Sequence, residues 1–275
     1  MSAHKFPPST ILVPTDFGSA SEVALGFARM MREEHKTAIR VIHAHHFELP
    51  PYFSAGQAKT LAREVQKSRK TATEFLRKKC EAVLGGNVEV SIVEKPPVDA
   101  IIEASTGAAV DLIIMGTHGH RGAERLWLGS VAERVLRISK VHVLAVNKAI
   151  TPGPFKEILC PVINSPTGQE ALKYAAMIAA VSQANLTVLN ALEGGESPVG
   201  CGVAGDEIKK HCEVKEISVH GNAARAILSI AHERRPSLIV MGAEWKSSPF
   251  GELFSSTTEQ VMQRTDVPLL VVPRG

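Results

Sequence analysis

The stretch TILVPTDFGSASEVALGFARMM, residues 10–31, decides the fold, because it joins a short apolar run to an amphipathic segment through a proline turn. The same arrangement returns at residues 157–179 as EILCPVINSPTGQEALKYAAMIA. Pro14 and Pro161 occupy equivalent places in the two stretches, 147 positions apart. Each stretch predicts a buried strand followed by a helix, so the chain contains an internal repeat.

The repeat continues beyond this opening. AIRVIHA at 38–44 matches NLTVLNA at 185–191 with the same separation of 147 positions. DLIIMG at 111–116 matches SLIVMG at 237–242, but here the separation is 126 positions. The second copy is therefore 21 residues shorter than the first, and the missing residues lie between its second and fourth strands.

The shortening affects one helix. The first copy carries a long helical pattern, roughly from Gln57 to Leu84. The corresponding part of the second copy is the glycine-rich segment EGGESPVGCGVAGDEIKKHC, residues 193–212. Because glycine destabilises a helix interior, we expect a loop or a turn or two of helix there.

Both copies alternate short runs rich in Val, Ile and Leu with amphipathic stretches. Strands that are apolar throughout indicate a parallel sheet covered by helices on both faces. The sequence therefore predicts the α/β class, with two Rossmann-like, doubly wound parallel-sheet domains in tandem. Prolines and a glycine in NKAITPGPFK, residues 147–156, interrupt both periodicities. The expected domains are residues 1–150 and 154–275, with a boundary near residue 152.

Composition excludes several classes of protein. The hydrophobic fraction of 44% is sufficient for packed cores. The 31 basic and 28 acidic residues are interspersed and give a net charge of +3, so no nucleic-acid partner is expected. No apolar run is long enough to span a membrane, and the first residues do not resemble a signal peptide, so we expect a cytoplasmic protein. The four cysteines have no paired spacing and are expected to be reduced thiols.

The loop after the predicted fourth strand reads MGTHGHRGAERLWLGSVAERVL, residues 115–136. Gly116, Gly119, Gly129 and Ser130 form the pattern G-x2-G-x9-G-S just before a helix. Glycines let a backbone turn and approach a phosphate without a Cβ in the way. The start of a helix places backbone N–H groups and the positive end of its dipole against an anion.

The same residues have a purely structural interpretation. The glycines could serve only a tight turn, and Ser130 could be the N-cap of a helix over residues 131–138. Asp16 favours the binding interpretation, because it follows the first strand and has no obvious capping role in the sequence. At the carboxyl edge of a doubly wound sheet, such residues converge on a ligand.

The G-x2-G-x9-G-S loop, the PTDF after the first strand and the PP or HGNAA loops before the third helices resemble the universal stress protein family. The resemblance covers nearly the whole chain as two copies. It implies an adenine nucleotide alpha hydrolase-like fold and, in the nucleotide-binding branch, an ATP site. Carried over by position, the resemblance implies that these residues contact adenosine: Pro14, Thr15, Asp16 and Ala44. Those implied for the phosphates and ribose are Gly116, Gly119, Gly129, Ser130 and Val131.

The second copy lacks most of this motif. Ile163, Trp245 and Ser255 stand where the first copy has Asp16, Gly119 and Gly129, whereas Gly242 and Ser256 match the first copy. An indole would fill the volume that a phosphate or ribose needs. We therefore expect the second copy to have lost ATP binding and to serve an architectural role. The alternative is that another anion binds Ser255, Ser256 and Thr257.

Three functions are open at this point. The first is a stress-response protein whose ATP-bound first domain regulates its shape or its interactions. The second is a slow ATPase or an adenine-nucleotide hydrolase, and the third is a scaffold without a ligand. Phosphoryl transfer needs charge-neutralising groups and an orienting base, and the loop offers only Arg121, Glu124 and Arg125. No catalytic residue is assigned, and Mg²⁺ could accompany the ATP.

Three other groups of residues could be mistaken for sites. A metal site is not expected from either of two sets, His43, His45, His46, His118 and His120, or Cys201, His211 and Cys212. Neither set completes a known ligand spacing. Leu126, Trp127 and Leu128 form an apolar cluster that could pack on the adjoining helix or meet a partner.

The last strand of each copy predicts the assembly. VHVLAV at 141–146 and PLLVVP at 268–273 each close a domain at a sheet edge, and a bare apolar edge invites pairing. The resemblance implies dimerisation through this strand, and a tandem chain can meet that need internally as a pseudo-dimer. We also expect two chains to associate as a homodimer through other surfaces.

Overall fold

The computed structural model describes residues 5–45, 55–86, 88–106, 110–117, 129–163, 165–192, 212–243, 245–248, 251–254 and 256–273. The first half contains strands β1 (Thr10–Pro14), β2 (Ala38–His45), β3 (Glu89–Glu94), β4 (Leu112–Gly116) and β5 (His142–Val146). Its helices are α1 (Ser19–His35), α2 (Ala55–Leu84), α3 (Pro97–Thr106) and α4 (Ser130–Ile138).

The second half repeats this order with changes. Its sheet strands are β6 (Glu157–Val162), β7 (Asn185–Leu192), β8 (Val214–His220), β9 (Leu238–Gly242) and β12 (Leu269–Val272). Its helices are α5 (Pro166–Ser182), α6 (Ala223–Arg234) and α7 (Ser256–Arg264). A hairpin of β10 (Trp245–Ser248) and β11 (Gly251–Phe254) separates β9 from α7. Residues 193–211, where the sequence predicts a shortened helix, lie outside the described residues.

One ten-stranded sheet runs through both halves in the order β3-β2-β1-β4-β5-β12-β9-β6-β7-β8. All neighbours within each half are parallel. Helices α1, α2 and α5 cover one face, and α3, α4, α6 and α7 cover the other. The predicted α/β class with doubly wound parallel sheets is confirmed.

The two halves meet through antiparallel pairing of β5 with β12, as the apolar terminal strands predict. Leu144 lies opposite Leu270, and these two residues are equivalent in the repeat. Val143 pairs with Val271, and Ala145 pairs with Leu269. Exchanging the two strands therefore gives the same set of paired positions. This is the internal symmetry of an isologous dimer interface formed within one chain.

Side chains on one face of the sheet also join the halves. Tyr174 of α5 packs against His142 of β5, with ring centroids 4.1 Å apart. Phe27 of α1 stacks on Phe155 of the linker at 6.0 Å. All four are at most 3% exposed, so the junction belongs to the hydrophobic core. Within the described part of the chain, no helix has the length and apolar character needed to cross a membrane.

Candidate functional site

The strand order of the first half reverses between β1 and β4, and the crevice expected at such a reversal lies at the carboxyl ends of these strands. From this point β2 and β3 extend the sheet in one direction and β5 extends it in the other. Helices α1 and α4 both begin at this edge, directly after the loops that leave β1 and β4. Such a reversal is the ordinary place for a ligand in an open α/β sheet.

Asp16 is held in a defined position at this crevice. Its Oδ1 accepts hydrogen bonds from the backbone N–H of Gly18 at 2.9 Å and from the hydroxyl of Ser21 at 2.5 Å. Its own N–H donates to the same hydroxyl at 3.2 Å. The interpretation that this carboxylate has no capping role is therefore wrong, because it organises the start of α1. The residue is nevertheless exposed, and a ligand can reach it.

Gly18 makes this arrangement possible. It is the N-cap of α1 and has no side chain with which to cap the helix. A Cβ at this position would lie 2.9 Å from Oδ1 of Asp16, closer than real Cβ contacts allow. A larger N-cap residue would therefore displace the carboxylate.

The loop between β1 and α1 is fixed from the side of β2 as well. Nδ1 of His43 lies 2.8 Å from the carbonyl oxygen of Thr15, so this ring nitrogen donates the hydrogen bond. Phe17 has a left-handed backbone with a φ of 64°. Its ring packs against that of His43, with the ring centroids 4.6 Å apart. Ala44 follows on β2 and is half-buried. These contacts bring the predicted residues of β1 and β2 to one edge.

The start of α4 supports the binding interpretation of Ser130. The helix begins at Ser130 itself and its N-cap is Gly129, so the alternative that Ser130 is the N-cap is wrong. The N–H of Gly129 donates to the carbonyl of Thr117 at 2.7 Å, which brings the end of the loop back to β4. Ser130 is exposed and Val131 is half-buried. The helix dipole makes this end of α4 attractive to anions.

Gly116 has a packing role that the sequence pattern did not predict. A Cβ here would lie 2.7 Å from Cβ of Ala20 in α1. Gly242 is in the same situation in the second half, where a Cβ would lie 2.8 Å from the carbonyl oxygen of Thr167 in α5. Both glycines let a helix approach a strand closely, which explains why this motif position is retained in both copies.

The second half has different residues at the positions of Asp16, Gly18 and Ser21. Ile163 stands at the position of Asp16 and is 44% exposed. Ser165, at the position of Gly18, caps α5 by accepting the N–H of Gly168 at 3.0 Å, and Pro166 opens the helix. Gly168 stands at the position of Ser21, and a Cβ there would overlap the carbonyl oxygen of Ile163. This helix start is capped by its own chain and carries no carboxylate.

The sequence did not predict the hairpin β10–β11. It occupies the chain segment that corresponds to the glycine loop of the first half. Trp245, at the position of Gly119, lies opposite Phe254 in the antiparallel register. The second half therefore has a two-stranded sheet at the position of the predicted phosphate loop.

Several predicted residues lie outside the described part of the chain. These are Gly119 of the motif, the Leu126-Trp127-Leu128 cluster, the charged Arg121, Glu124 and Arg125, Ser255, and His46, His118, His120, Cys201 and His211 of the two metal alternatives. Among the described residues, no three His, Cys, Asp or Glu side chains come together as a metal site.

Burial raises the pKa of the Cys80 thiol to about 11, which keeps it protonated and unreactive at neutral pH.

Comparison with known proteins gives the family. A sequence profile of the universal stress protein family matches residues 8–147 and 203–273. The chain belongs to the universal stress protein family. A universal stress protein of Methanocaldococcus jannaschii is 30% identical over 152 residues, which cover 50% of this chain and 94% of the relative. A universal stress protein of Thermus aquaticus is 28% identical over 138 residues, covering 50% of this chain and 97% of the relative.

Solved universal stress protein structures share the complete architecture. The crystal structure of a universal stress protein from Archaeoglobus fulgidus is 25% identical, with a TM-score of 0.77, and covers 98% of this chain and 100% of that one. A second structure, from Pseudomonas aeruginosa, shares the fold at 17% identity, with a TM-score of 0.61, and covers 97% of this chain and 94% of that one. Since the Archaeoglobus fulgidus protein extends over the two halves, the tandem arrangement occurs in another universal stress protein.

Sequence reasoning missed Gly18 and Ser21 at this site. The repeat itself carries the signal, because positions 16, 18 and 21 of the first copy correspond to 163, 165 and 168 of the second. All three residue types change between the copies. Positions 18 and 21 belong to no recognised motif, so the sequence alone draws attention only to Asp16.

Proposed function

We propose that the first half of this universal stress protein binds ATP in the crevice between β1 and β4. The protein then acts in the cytoplasm as a nucleotide-dependent regulatory or interaction module of a stress response. One observation carries this proposal: Asp16, Gly18 and Ser21 form a hydrogen-bonded unit in the first half, and the second half has replaced all three. This concerted change is what we expect where the second half has lost a ligand site.

The unit suits a ribose. A carboxylate accepts hydrogen bonds from the two ribose hydroxyls, and such charged hydrogen bonds contribute about 1.5–3 kcal/mol each. Gly18 and Ser21 hold Oδ1 of Asp16 in place before the ligand arrives, which lowers the entropy lost on binding. The starts of α1 and α4 lie at the same edge and favour the negative phosphates.

The proposed contacts are those that the family resemblance implies. Adenosine lies against residues at the ends of β1 and β2, namely Pro14, Thr15, Asp16 and Ala44. The phosphates and ribose lie against the loop and the first turn of α4, namely Gly116, Gly119, Gly129, Ser130 and Val131. Gly116 contributes by letting α1 approach β4. The proposed domains are residues 1–150, which bind the nucleotide, and 154–275, which serve as architecture.

Nucleotide released from the purified protein tests the proposal. We expect denaturation to release about one adenine nucleotide per chain, identified by chromatography, and ATP to bind again after dialysis, measured by calorimetry. Accumulation of ADP during incubation with Mg²⁺ and ATP would support the slow ATPase instead of a regulatory module. If no nucleotide is released and ATP does not bind, the proposal is wrong and the scaffold alternative holds.

The homodimer is a second proposal and stays a prediction. Strands β5 and β12 pair with each other, so a contact between chains must use other surfaces. We expect light scattering at micromolar concentration to give twice the chain mass of 29.5 kDa. A mass equal to that of one chain would show that the internal pairing suffices.

A further inference from the structure

A cavity lies at the junction of the two halves, away from the proposed ATP site. It has a volume of about 480 Å³, and the linker, α1, α6 and the chain around α7 line it. Ser237 and Pro268 on its wall precede β9 and β12, so it opens at the amino ends of these strands. The ATP crevice lies instead at the carboxyl ends of β1 and β4.

The inner wall of this cavity is apolar. It consists of hydrocarbon and aromatic side chains from both halves: Phe27, Ile150, Leu228, Ala231, Pro236 and Pro268. Phe27, Ile150 and Ala231 are at most 8% exposed. The volume falls within the range of about 300–1,000 Å³ that is typical of small-molecule sites.

Charged groups at the rim are predominantly basic. Arg235, His232 and Arg264 line the cavity together with a single acidic residue, Asp266. Within the described part of the chain, neither arginine side chain forms a hydrogen bond or an ion pair. The two guanidinium groups can therefore bind an external anion without first breaking a contact.

Two hydroxyl groups of the wall already accept hydrogen bonds from the protein backbone. The hydroxyl of Ser237 accepts the backbone N–H groups of Lys156 and Glu157 at 2.9 and 3.0 Å. The hydroxyl of Thr265 accepts the N–H of Val267 at 3.1 Å. The basic side chains are the groups of this wall that can recognise a negatively charged head group.

We propose that this cavity binds a small amphipathic organic anion, with its apolar body against the inner wall and its carboxylate, sulfonate or phosphate between Arg235 and Arg264. Basic residues at the ends of α6 and α7 also interact favourably with the negative ends of helix dipoles. That effect stabilises the helices without a ligand. A role in anion binding and a role in helix stabilisation predict different results for an anionic probe.

The probe is 1-anilinonaphthalene-8-sulfonate, whose fluorescence rises when it enters an apolar site. We expect one probe molecule to bind per chain in the presence of saturating ATP, so that the nucleotide site is closed to it. Charge reversal in the Arg235→Glu/Arg264→Glu variant should weaken binding about 10-fold or more. Arg225→Glu reverses an exposed charge at the other end of α6 and is the matched control, expected to leave affinity unchanged.

A second variant tests the cavity without changing its charge. Thr151 is exposed on the linker and lines the cavity, so Thr151→Trp should fill it and abolish probe binding. Melting temperatures establish that each variant is folded. The proposal is overturned if ATP displaces the probe, if the double charge reversal binds the probe as the parent does, or if Thr151→Trp has no effect.

Discussion

The Asp16→Ala variant is expected to bind ATP about 10- to 100-fold more weakly than the parent protein. The substitution removes the carboxylate that we propose as the acceptor for the ribose hydroxyls. It also removes the acceptor for the N–H of Gly18 and the hydroxyl of Ser21. The free energy of unfolding should therefore fall by about 1 kcal/mol. Calorimetric titration with ATP measures the affinity, and urea unfolding without ATP measures the stability.

Ser21 provides the sharper part of this experiment. Ser21→Ala keeps the carboxylate of Asp16 but removes the hydroxyl that orients it, so we expect a smaller loss of affinity, about 3- to 10-fold. Because Ser21 acts through Asp16, the same substitution should have almost no further effect on affinity in the Asp16→Ala background. Ser19→Ala, an exposed serine in the same turn of α1, is the matched control.

Two outcomes would contradict this account of the site. Unchanged ATP affinity in Asp16→Ala would show that the carboxylate does not contact the ligand. Equal losses from Ser21→Ala with and without Asp16 would show that Ser21 acts independently of it. A loss of stability with unchanged ATP affinity would show that Asp16, Gly18 and Ser21 stabilise the fold and do not contribute to nucleotide binding.

Gly242→Ala is expected to destabilise the protein by about 1–3 kcal/mol, although the second half lacks the nucleotide motif. The added Cβ would lie 2.8–2.9 Å from backbone and side-chain atoms of Thr167. Strand β9 and helix α5 must therefore separate, which disturbs a core that contains fully buried residues such as Tyr174. The midpoint of urea unfolding measures the loss.

Gly153→Ala is the control for the added methyl group. No atom lies within 4 Å of a Cβ at position 153, and its φ is not in the left-handed region. We therefore expect this substitution to be neutral or slightly stabilising, since alanine restricts the unfolded chain more than glycine does. If Gly242→Ala is as stable as Gly153→Ala, close helix packing does not explain why Gly116 and Gly242 are both glycine.

The sequence by itself determined the repeat, the α/β class and the bounds of several elements. Its long helical pattern, roughly from Gln57 to Leu84, agrees with α2 to within two residues at each end. It also predicted the pairing of the two terminal strands. These features depend on the periodicity of apolar residues along the chain, which is a local property that can be read without knowing what each element packs against.

Only the tertiary structure decided what individual site residues contact. The need for glycine at 116 arises from Ala20, which is remote in sequence and reaches β4 only because α1 crosses it. The orientation of Asp16 depends on the missing side chain of Gly18 and on the hydroxyl of Ser21, and neither belongs to a motif. The cavity likewise needs α1, α6 and the linker to converge. Close approach between distant segments depends on how helices and strands pack together, and sequence periodicity carries no information about those distances.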